Sequence, residues 1–180
     1  FKHFDSFFNG IYFWRLIRNT VLINVYDLLF GFPAAILLAL LLNEIRKMAF
    51  KRLVQTISYL PHFISIVVVA GMMFDFLSRD GLINQLLGMA GVEPIDFLKE
   101  AGWFRFIFVS SGIWQGIGWG SIIYLASIAN IDPTLYEAAK IDGASRWRQT
   151  FHITIPGIMP TIVIMLILNM GHMLSVGSEK

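Results

Sequence analysis

The sequence predicts an all-α fold, a polytopic bundle of helices that cross a membrane. Of its 180 residues, 56% are apolar and only 14% are charged. The mean hydropathy is +0.66, an imbalance expected of a protein dissolved in lipid. Four apolar stretches reach the length of about 20 residues that a helix needs to span hydrocarbon. The chain has no cysteine, which excludes a disulfide framework, and its net charge of +2 is too small to indicate a nucleic acid partner.

The four predicted spans cover roughly residues 20–43, 54–77, 103–129 and 157–176. Asp27 in the first span costs about 2.5 to 3.5 kcal/mol at mid-membrane, which the surrounding apolar residues outweigh. Pro33 and Pro61 interrupt the apolar runs, but neighbouring helices in a membrane bundle can satisfy the backbone groups that they free. Residues 1–19 are expected to form an extracytoplasmic lead-in, either an interfacial helix or an aromatic-rich loop. Residues 177–180 are expected to begin the next extracytoplasmic loop.

The basic residues predict which connections face the cytoplasm. The sequence NEIRKMAFKR, after the first span, holds four Lys and Arg residues, whereas the longer connection 78–102 holds two. Because an excess of Lys and Arg marks cytoplasmic loops, the first connection is predicted to be cytoplasmic. Alternation then places residues 78–102 outside and residues 130–156, which we call the polar loop, in the cytoplasm. The lead-in opposes this assignment, since it holds Lys2, Arg15 and Arg18.

The polar loop carries its own helix signals. Asp132 is predicted as an N-cap, Pro133 as the first helical residue and Gly143 as the stop of a helix that is too short to span. Gly143 permits a reversal of the chain that a residue with a Cβ would resist. The residues predicted to share one thin face of this helix are Leu135, Ala138, Ala139 and Asp142.

A second short helix is predicted over ASRWRQTFH, directly after that reversal. It places Trp147 and Phe151 one turn apart, and Pro156 is expected to end it where the last span begins.

The same segment resembles a family signature. The matching positions are, in order, Glu137, Ala138, Ala139, Gly143, Ile153, Ile155 and Pro156. Their spacing resembles the EAA loop of inner-membrane permease subunits of binding-protein-dependent ABC importers, with Ile155 where that family usually has Leu. The stretches FGFPAAILLALLLNEIR and QTISYLPHFIS resemble its carbohydrate branch, and more narrowly its complex-oligosaccharide permeases. The resemblance covers nearly the whole chain, and an N-terminal and a final C-terminal span are expected beyond it.

The resemblance implies a multi-subunit importer in the cell membrane. In this family the loop is a coupling helix seated in a cytoplasmic ATPase subunit, whose closure drives the membrane helices between inward-open and outward-open states. The implied partners are a dimer of that ATP-binding subunit, a second permease subunit, an extracytoplasmic sugar-binding protein, the lipid bilayer and an oligosaccharide substrate. The implied coupling residues are Glu137, Ala138, Ala139, Asp142, Gly143, Arg146 and Pro156. The chain has no G-x-x-x-x-G-K-[ST] phosphate loop, so ATP hydrolysis is expected of the separate subunit, with no catalytic residue, cofactor or metal in this chain.

Two stripes run along the third predicted span. Glycine recurs every four residues at Gly112, Gly116 and Gly120, which predicts a smooth face where another helix packs closely. On the adjacent face the same period joins hydrogen-bonding groups to a flat aromatic surface suited to a sugar ring, at Ser111, Gln115 and Trp119. The resemblance also implies substrate contacts on this span, and Gly116 is included among the path candidates. Packing within the bundle is the open alternative for Trp119.

Polar residues also share one face of the last span, at Asn169, His172 and Ser175. Intramembrane polar residues face a cavity or a neighbouring helix, so Asn169 and His172 are candidates either for substrate contact or for hydrogen bonds between helices. His62, which follows Pro61, is expected to satisfy carbonyl groups that the proline frees rather than to bind a ligand.

The sequence also bears on two rival functions. A membrane-embedded enzyme is disfavoured, because there is no H-E-x-x-H and the acids and histidines of the spans lack metal-ligand spacing. A non-transporting membrane scaffold, or a permease for a different solute class, stays open, since helices and a docking loop would serve these too. The sequence does not name the sugar.

Overall fold

A computed structural model of the chain describes Gly10 and residues 12–172, without the side chains of Ala101 and His172. In these residues the chain forms helices and turns and no strand, which confirms the all-α prediction. The helices are α1 (Phe13–Tyr26), α2 (Phe32–Glu44), α3 (Met48–Tyr59), α4 (Ile66–Leu77), α5 (Leu82–Met89), α6 (Ala101–Ala129), α7 (Pro133–Ile141), α8 (Arg146–Gln149) and α9 (Ile155–His172). Most of the predicted lead-in, Ser175 and the start of a loop at 177–180 lie outside the described residues.

Within residues 12–172, three continuous helical stretches are long and apolar enough to cross a membrane, namely Phe13–Glu44, Gly102–Ala129 and Arg146–Gly171. They contain the described parts of the first, third and fourth predicted spans. The first is longer than predicted, because the helix already begins at Phe13. The described end of the lead-in is therefore continuous with this helix. Its exposed apolar side chains include Trp14, which is 77% exposed.

The second predicted span, residues 54–77, is not one helix. Met48–Phe63 and Ile66–Met89 meet at a bend of 101°. The bend lies at residues 60–65, which we call the helix break, where a 3-10 turn over Leu60–Phe63 leads into extended backbone at Ile64. Pro61 accounts for the position of the break, since it lacks a backbone N–H and its ring crowds the preceding turn.

Pro33 and Pro156 are absorbed without a break. A π-helical turn over Asp27–Gly31 precedes Pro33, and another over Thr150–Thr154 precedes Pro156. The wider turn makes room for the proline ring and for the missing N–H donor. The prediction that Pro156 ends the second short helix is therefore wrong: α8, the π turn and α9 form one continuous helix.

The core of the bundle lies between α2, α6 and α9. Its buried residues are Ala35, Ala39, Tyr124, Ile128 and Ile158. The two alanines keep α2 thin, so that α6 approaches closely, and Phe32 packs edge-on against Tyr124 with ring centroids 6.4 Å apart. Between helices in lipid, such contacts stabilise the bundle through van der Waals packing rather than through the exclusion of water.

The connection 78–102 has internal order of its own. It contains α5, and the buried amide of Asn84 bonds to the backbone of Ile95 in both directions, at 2.8 and 2.9 Å. Phe97 is buried and contacts Trp103 at the start of α6, with ring centroids 5.1 Å apart. These contacts fasten the connection to the beginning of α6.

Candidate functional site

The polar loop begins with the helix cap that the sequence predicts. The Asp132 carboxylate accepts a hydrogen bond of 2.9 Å from the backbone N–H of Thr134, and Pro133 is the first residue of α7. This backbone hydrogen bond stabilises the charged form of the carboxylate and therefore lowers the pKa of Asp132. The predicted N-cap is confirmed.

Gly143 ends α7 in the predicted place. Its φ is +74°, a left-handed conformation that residues with a Cβ rarely adopt. The N–H of Ala144 donates to the Ala139 carbonyl at 2.8 Å, and the N–H of Gly143 donates to the Lys140 carbonyl at 3.1 Å. These two bonds form a Schellman motif, which satisfies carbonyl groups that the end of the helix would leave open.

The two sides of α7 differ in what they contact. Tyr136 and Ala139 are half-buried on one side. The exposed residues of the helix and its end include Leu135, Glu137, Ala138, Ile141 and Asp142. The predicted face is thus corrected in one respect, because Ala139 lies on the shielded side while Ile141, which is 87% exposed, joins the open side.

Two contacts hold the polar loop against the start of the last span. The Tyr136 hydroxyl lies 2.9 Å from the hydroxyl of Thr154, which is only 2% exposed. Ile131 covers Gly157, where an added Cβ would come within 2.8 Å of the Ile131 Cδ1 atom. Spacing in the sequence does not reveal either contact, because each depends on how α7 folds back on α9.

Arg146 of the polar loop also forms an ion pair with a residue outside the loop. Its guanidinium donates to the Glu44 carboxylate at 3.0 Å. This ion pair places the end of α2 beside the polar loop, so the two connections that are rich in basic residues lie at the same end of the bundle, in agreement with the predicted orientation. Trp147 and Phe151, one turn apart as predicted, stack with ring centroids 6.3 Å apart and are both exposed.

Of the predicted glycine stripe on α6, one member packs closely against another helix within the described part of the chain. A Cβ added at Gly112 or Gly116 would meet open space, whereas one at Gly120 would lie 3.2 Å from the Ala35 Cβ. The close approach occurs instead at buried Gly118, where an added Cβ would collide with the Ser58 carbonyl group. The contact is made where α3 reaches the middle of α6, and the four-residue repeat is on the wrong side of the helix to form it.

Two of the three residues of the predicted polar stripe on α6, Gln115 and Trp119, contact the helix break. Gln115 donates from its Nε2 to the Ile64 carbonyl at 2.9 Å, whereas Ser111 bonds within its own helix to Phe108 at 3.0 Å. Gln115 therefore satisfies the Ile64 carbonyl, which lies in the extended backbone of the helix break. That His62 satisfies a carbonyl group freed by Pro61 stays a prediction.

Aromatic rings add to the contact between α6 and the helix break. The imidazole of His62 lies parallel to the Trp119 indole, with ring centroids 4.5 Å apart, and Phe63 meets the indole edge-on at 5.8 Å. Trp119 stays 49% exposed. The packing alternative and the substrate alternative are thus compatible for Trp119, because one face is covered by His62 while much of the ring is open.

The candidates on the last span are less well defined. Asn169 lies half-buried in α9, and the side chain of His172 is outside the described part of the chain. Their roles as substrate contacts stay predictions.

Comparison with known families matches residues 31–176 to the family described as "Binding-protein-dependent transport system inner membrane component". The chain belongs to this family. The resemblance to this family is confirmed, and the chain is an inner-membrane protein of the permease type. The EAA signature of the polar loop stays a prediction.

Relatives and a solved structure agree with this assignment. Protein LplB of Bacillus subtilis strain 168 is 47% identical, over 100% of this chain and 57% of its own length. The polygalacturonan/rhamnogalacturonan transport system permease protein YteP of the same strain is 49% identical, over 99% of this chain and 56% of its own length. The crystal structure of a bacterial ABC transporter involved in the import of the acidic polysaccharide alginate matches with a TM-score of 0.95 and 48% identity, over 99% of this chain and 63% of that chain. The chain therefore spans somewhat more than half the length of these relatives.

Proposed function

We propose that this chain is a transmembrane permease subunit of an ATP-driven importer of sugars or oligosaccharides, and that the polar loop couples it to a cytoplasmic ATPase. The proposal rests on how α7 is fixed within the chain and on which of its side chains are exposed. The helix is capped at both ends and held by Tyr136, yet its outer side, with Leu135, Glu137 and Ile141, is open. A rigid helix that presents exposed apolar groups around a carboxylate suits a protein partner.

The partner proposed for this side of α7 is the ATP-binding subunit dimer. Glu137 would pair with a basic residue of that subunit, and Ala138 would allow close approach. Gly143 would allow the chain reversal of the loop, and Pro156 would stand where the loop passes into α9. ATP hydrolysis then belongs to the partner. A non-transporting scaffold would use the same surface without coupling it to solute movement.

The proposed substrate class is complex oligosaccharides. In support of this, the name of one relative refers to polygalacturonan and rhamnogalacturonan, and a permease of Rhizobium radiobacter that is 34% identical is named for lactose. A second crystal structure of the alginate transporter includes an alginate pentasaccharide-bound periplasmic protein. By analogy, an extracytoplasmic sugar-binding protein would deliver the substrate to this chain and a second permease subunit. The residues proposed to line its path are Ser111, Gln115, Gly116, Trp119, Asn169 and His172.

The test is Glu137→Ala in the full-length permease, assembled with its ATPase and reconstituted in vesicles. Loss of one member of an interfacial charge pair typically costs about 2 to 5 kcal/mol, so ATPase association should weaken by at least about tenfold and sugar-stimulated ATP hydrolysis should fall. Glu93→Ala, an exposed acid in the connection 78–102, is the matched control and should bind the ATPase normally. Unchanged ATP turnover per sugar imported in the Glu137→Ala complex would contradict the coupling role, and sugar-independent hydrolysis in the wild type would favour the scaffold.

A further inference from the structure

The ion pair between Glu44 and Arg146 joins two elements that are distant in the sequence. The Glu44 carboxylate is the last side chain of α2, and Arg146 is the first residue of α8, with 3.0 Å between the Arg146 Nη1 and Glu44 Oε2 atoms. The resemblance alone assigns Arg146 to the ATPase interface. In the structure, however, its guanidinium already has a partner within the chain.

The placement of both charges is unfavourable for the helices that carry them. The C-terminal end of a helix has partial negative charge and its N-terminal end has partial positive charge. Glu44 therefore adds an anion to the negative end of α2, and Arg146 adds a cation to the positive end of the continuous helix that begins with α8. Their pairing offsets this, because each helix end then also has the opposite charge of the other residue beside it. The placement suits contact between the two elements rather than the stability of either helix.

The polar loop has a second attachment on its other side. Tyr136 bonds to Thr154, and Ile131 packs on Gly157, so α7 is fixed to the beginning of α9. Within the loop, the Gln149 amide donates to the Ala144 carbonyl at 2.9 Å, which holds the chain reversal against α8. A force applied to the open side of α7 would therefore reach α9 directly, and would reach the end of α2 through Arg146.

We propose that Glu44 and Arg146 link the end of α2 to the polar loop, so that α2 moves together with α7 and α9 during transport. Arg146 is then a positioning residue of the loop and not a contact of the ATPase. The inference rests on the proposed function, since it describes how coupling motion enters the bundle. The side chains are 52% and 41% exposed, and exposed ion pairs add little to folding stability. Loss of the pair should therefore reduce coupling and leave the yield of folded protein unchanged.

Charge reversal in the full-length, reconstituted importer tests the link. We expect Glu44→Arg and Arg146→Glu each to assemble with the ATPase as the wild type does, but to import severalfold less sugar per ATP hydrolysed. The double variant, which restores an ion pair with exchanged charges, should recover most of that ratio. The control is the exposed pair Asp96–Lys99, 2.9 Å apart in the connection 78–102, whose reversal should change neither quantity.

The outcomes separate the inference from the proposed function. If Arg146→Glu loses the ATPase during purification, or if the exchanged pair does not recover coupling, the inference is overturned. A wild-type importer with no sugar-dependent transport would overturn the proposed function instead.

Cross-linking tests the link with a covalent bond in place of the ion pair. The 180 residues hold no cysteine, so in a full-length importer whose other cysteines have been replaced, cysteines placed at positions 44 and 146 can be joined selectively by a short bifunctional thiol reagent. Because this double variant lacks the ion pair, we expect it to import severalfold less sugar per ATP before the reaction and to recover that ratio when the two positions are joined. Transport that stops on cross-linking would show that the two positions must separate in the cycle and would overturn the inference.

Discussion

The polar loop and the middle of α6 both depend on a glycine, but for different physical reasons. Gly143 is required by its own backbone, whose φ of +74° ends α7. Gly118 has ordinary helical backbone and is required by a neighbour, because Ser58 of α3 leaves no room for a Cβ. The first requirement is set by the local backbone conformation. The second exists only when two helices are brought together at a particular rotation.

This difference explains why one region follows its sequence signals closely and the other only in part. The caps at Asp132 and Gly143 satisfy backbone groups of the same helix, so their effect is already present when α7 forms. The repeat of Gly112 and Gly116 marks a smooth face, but a smooth face does not specify which helix packs on it. In α6 the close contact with α3 lies at Gly118, beside the helix break.

The largest expected effect is from Gly118→Ala, which tests the tertiary requirement. The added methyl group would collide with Ser58, and overpacking of this kind typically costs about 1 to 3 kcal/mol. Gly116→Ala, on open space two positions away, is the matched control and should be neutral or slightly stabilising because alanine favours helix. The thermal midpoint of each variant in detergent measures the difference. Equal midpoints would mean that α3 does not approach α6 this closely.

A somewhat smaller effect is expected from Gly143→Ala, which tests the local requirement. A Cβ in left-handed backbone costs about 1 to 2 kcal/mol, and asparagine should cost less because it tolerates this conformation. We expect hydrogen exchange of the α7 amides to be fastest in the alanine variant, intermediate in Gly143→Asn and slowest in the wild type. The reverse order for the two variants would contradict a requirement set by φ.

Trp119→Ala tests whether the middle of α6 has a role beyond packing. Loss of an aromatic surface should cost about 0.5 to 1.5 kcal/mol beyond its buried area, equivalent to at most about tenfold weaker uptake at limiting sugar. Trp114→Ala, an exposed tryptophan of the same helix, controls for general effects on α6. Normal uptake by the Trp119→Ala importer would leave the stack on His62 as packing alone.

The smallest expected effect is the pH dependence of the α7 cap. Since the hydrogen bond from Thr134 lowers the pKa of Asp132, the cap stabilises α7 above the unfolded pKa, which is about 3.9. That contribution is lost as pH falls through the lower, folded pKa. Exchange of the Thr134 amide should therefore accelerate in the wild type below about pH 4, relative to Asp132→Asn at the same pH, because asparagine caps without titrating. Parallel pH profiles would argue against the carboxylate as the cap.

Much of the fold follows from composition and local signals. The apolar stretches, both ends of α7 and the family signature were all predictable, because each depends on residues close together in the chain. Pro61 marks the position of the helix break, but the sequence predicted one span through it, because a proline removes a hydrogen bond without fixing the direction of the next helix. The continuity of the helix through Pro156 was not predicted either, because it depends on a π turn that sequence patterns do not mark.

The sequence by itself determined that this protein crosses a membrane as helices, which loop carries a capped helix, and to which family it belongs. Only the tertiary structure decided that Gln115 meets the carbonyl of Ile64, 51 residues away, and that Arg146 meets Glu44, 102 residues away. Capping and hydropathy act over a few neighbouring residues, so they can be identified from the order of the side chains. Contacts over such separations depend on the rotation and crossing of whole helices, which are set by the packing of every helix in the bundle at once.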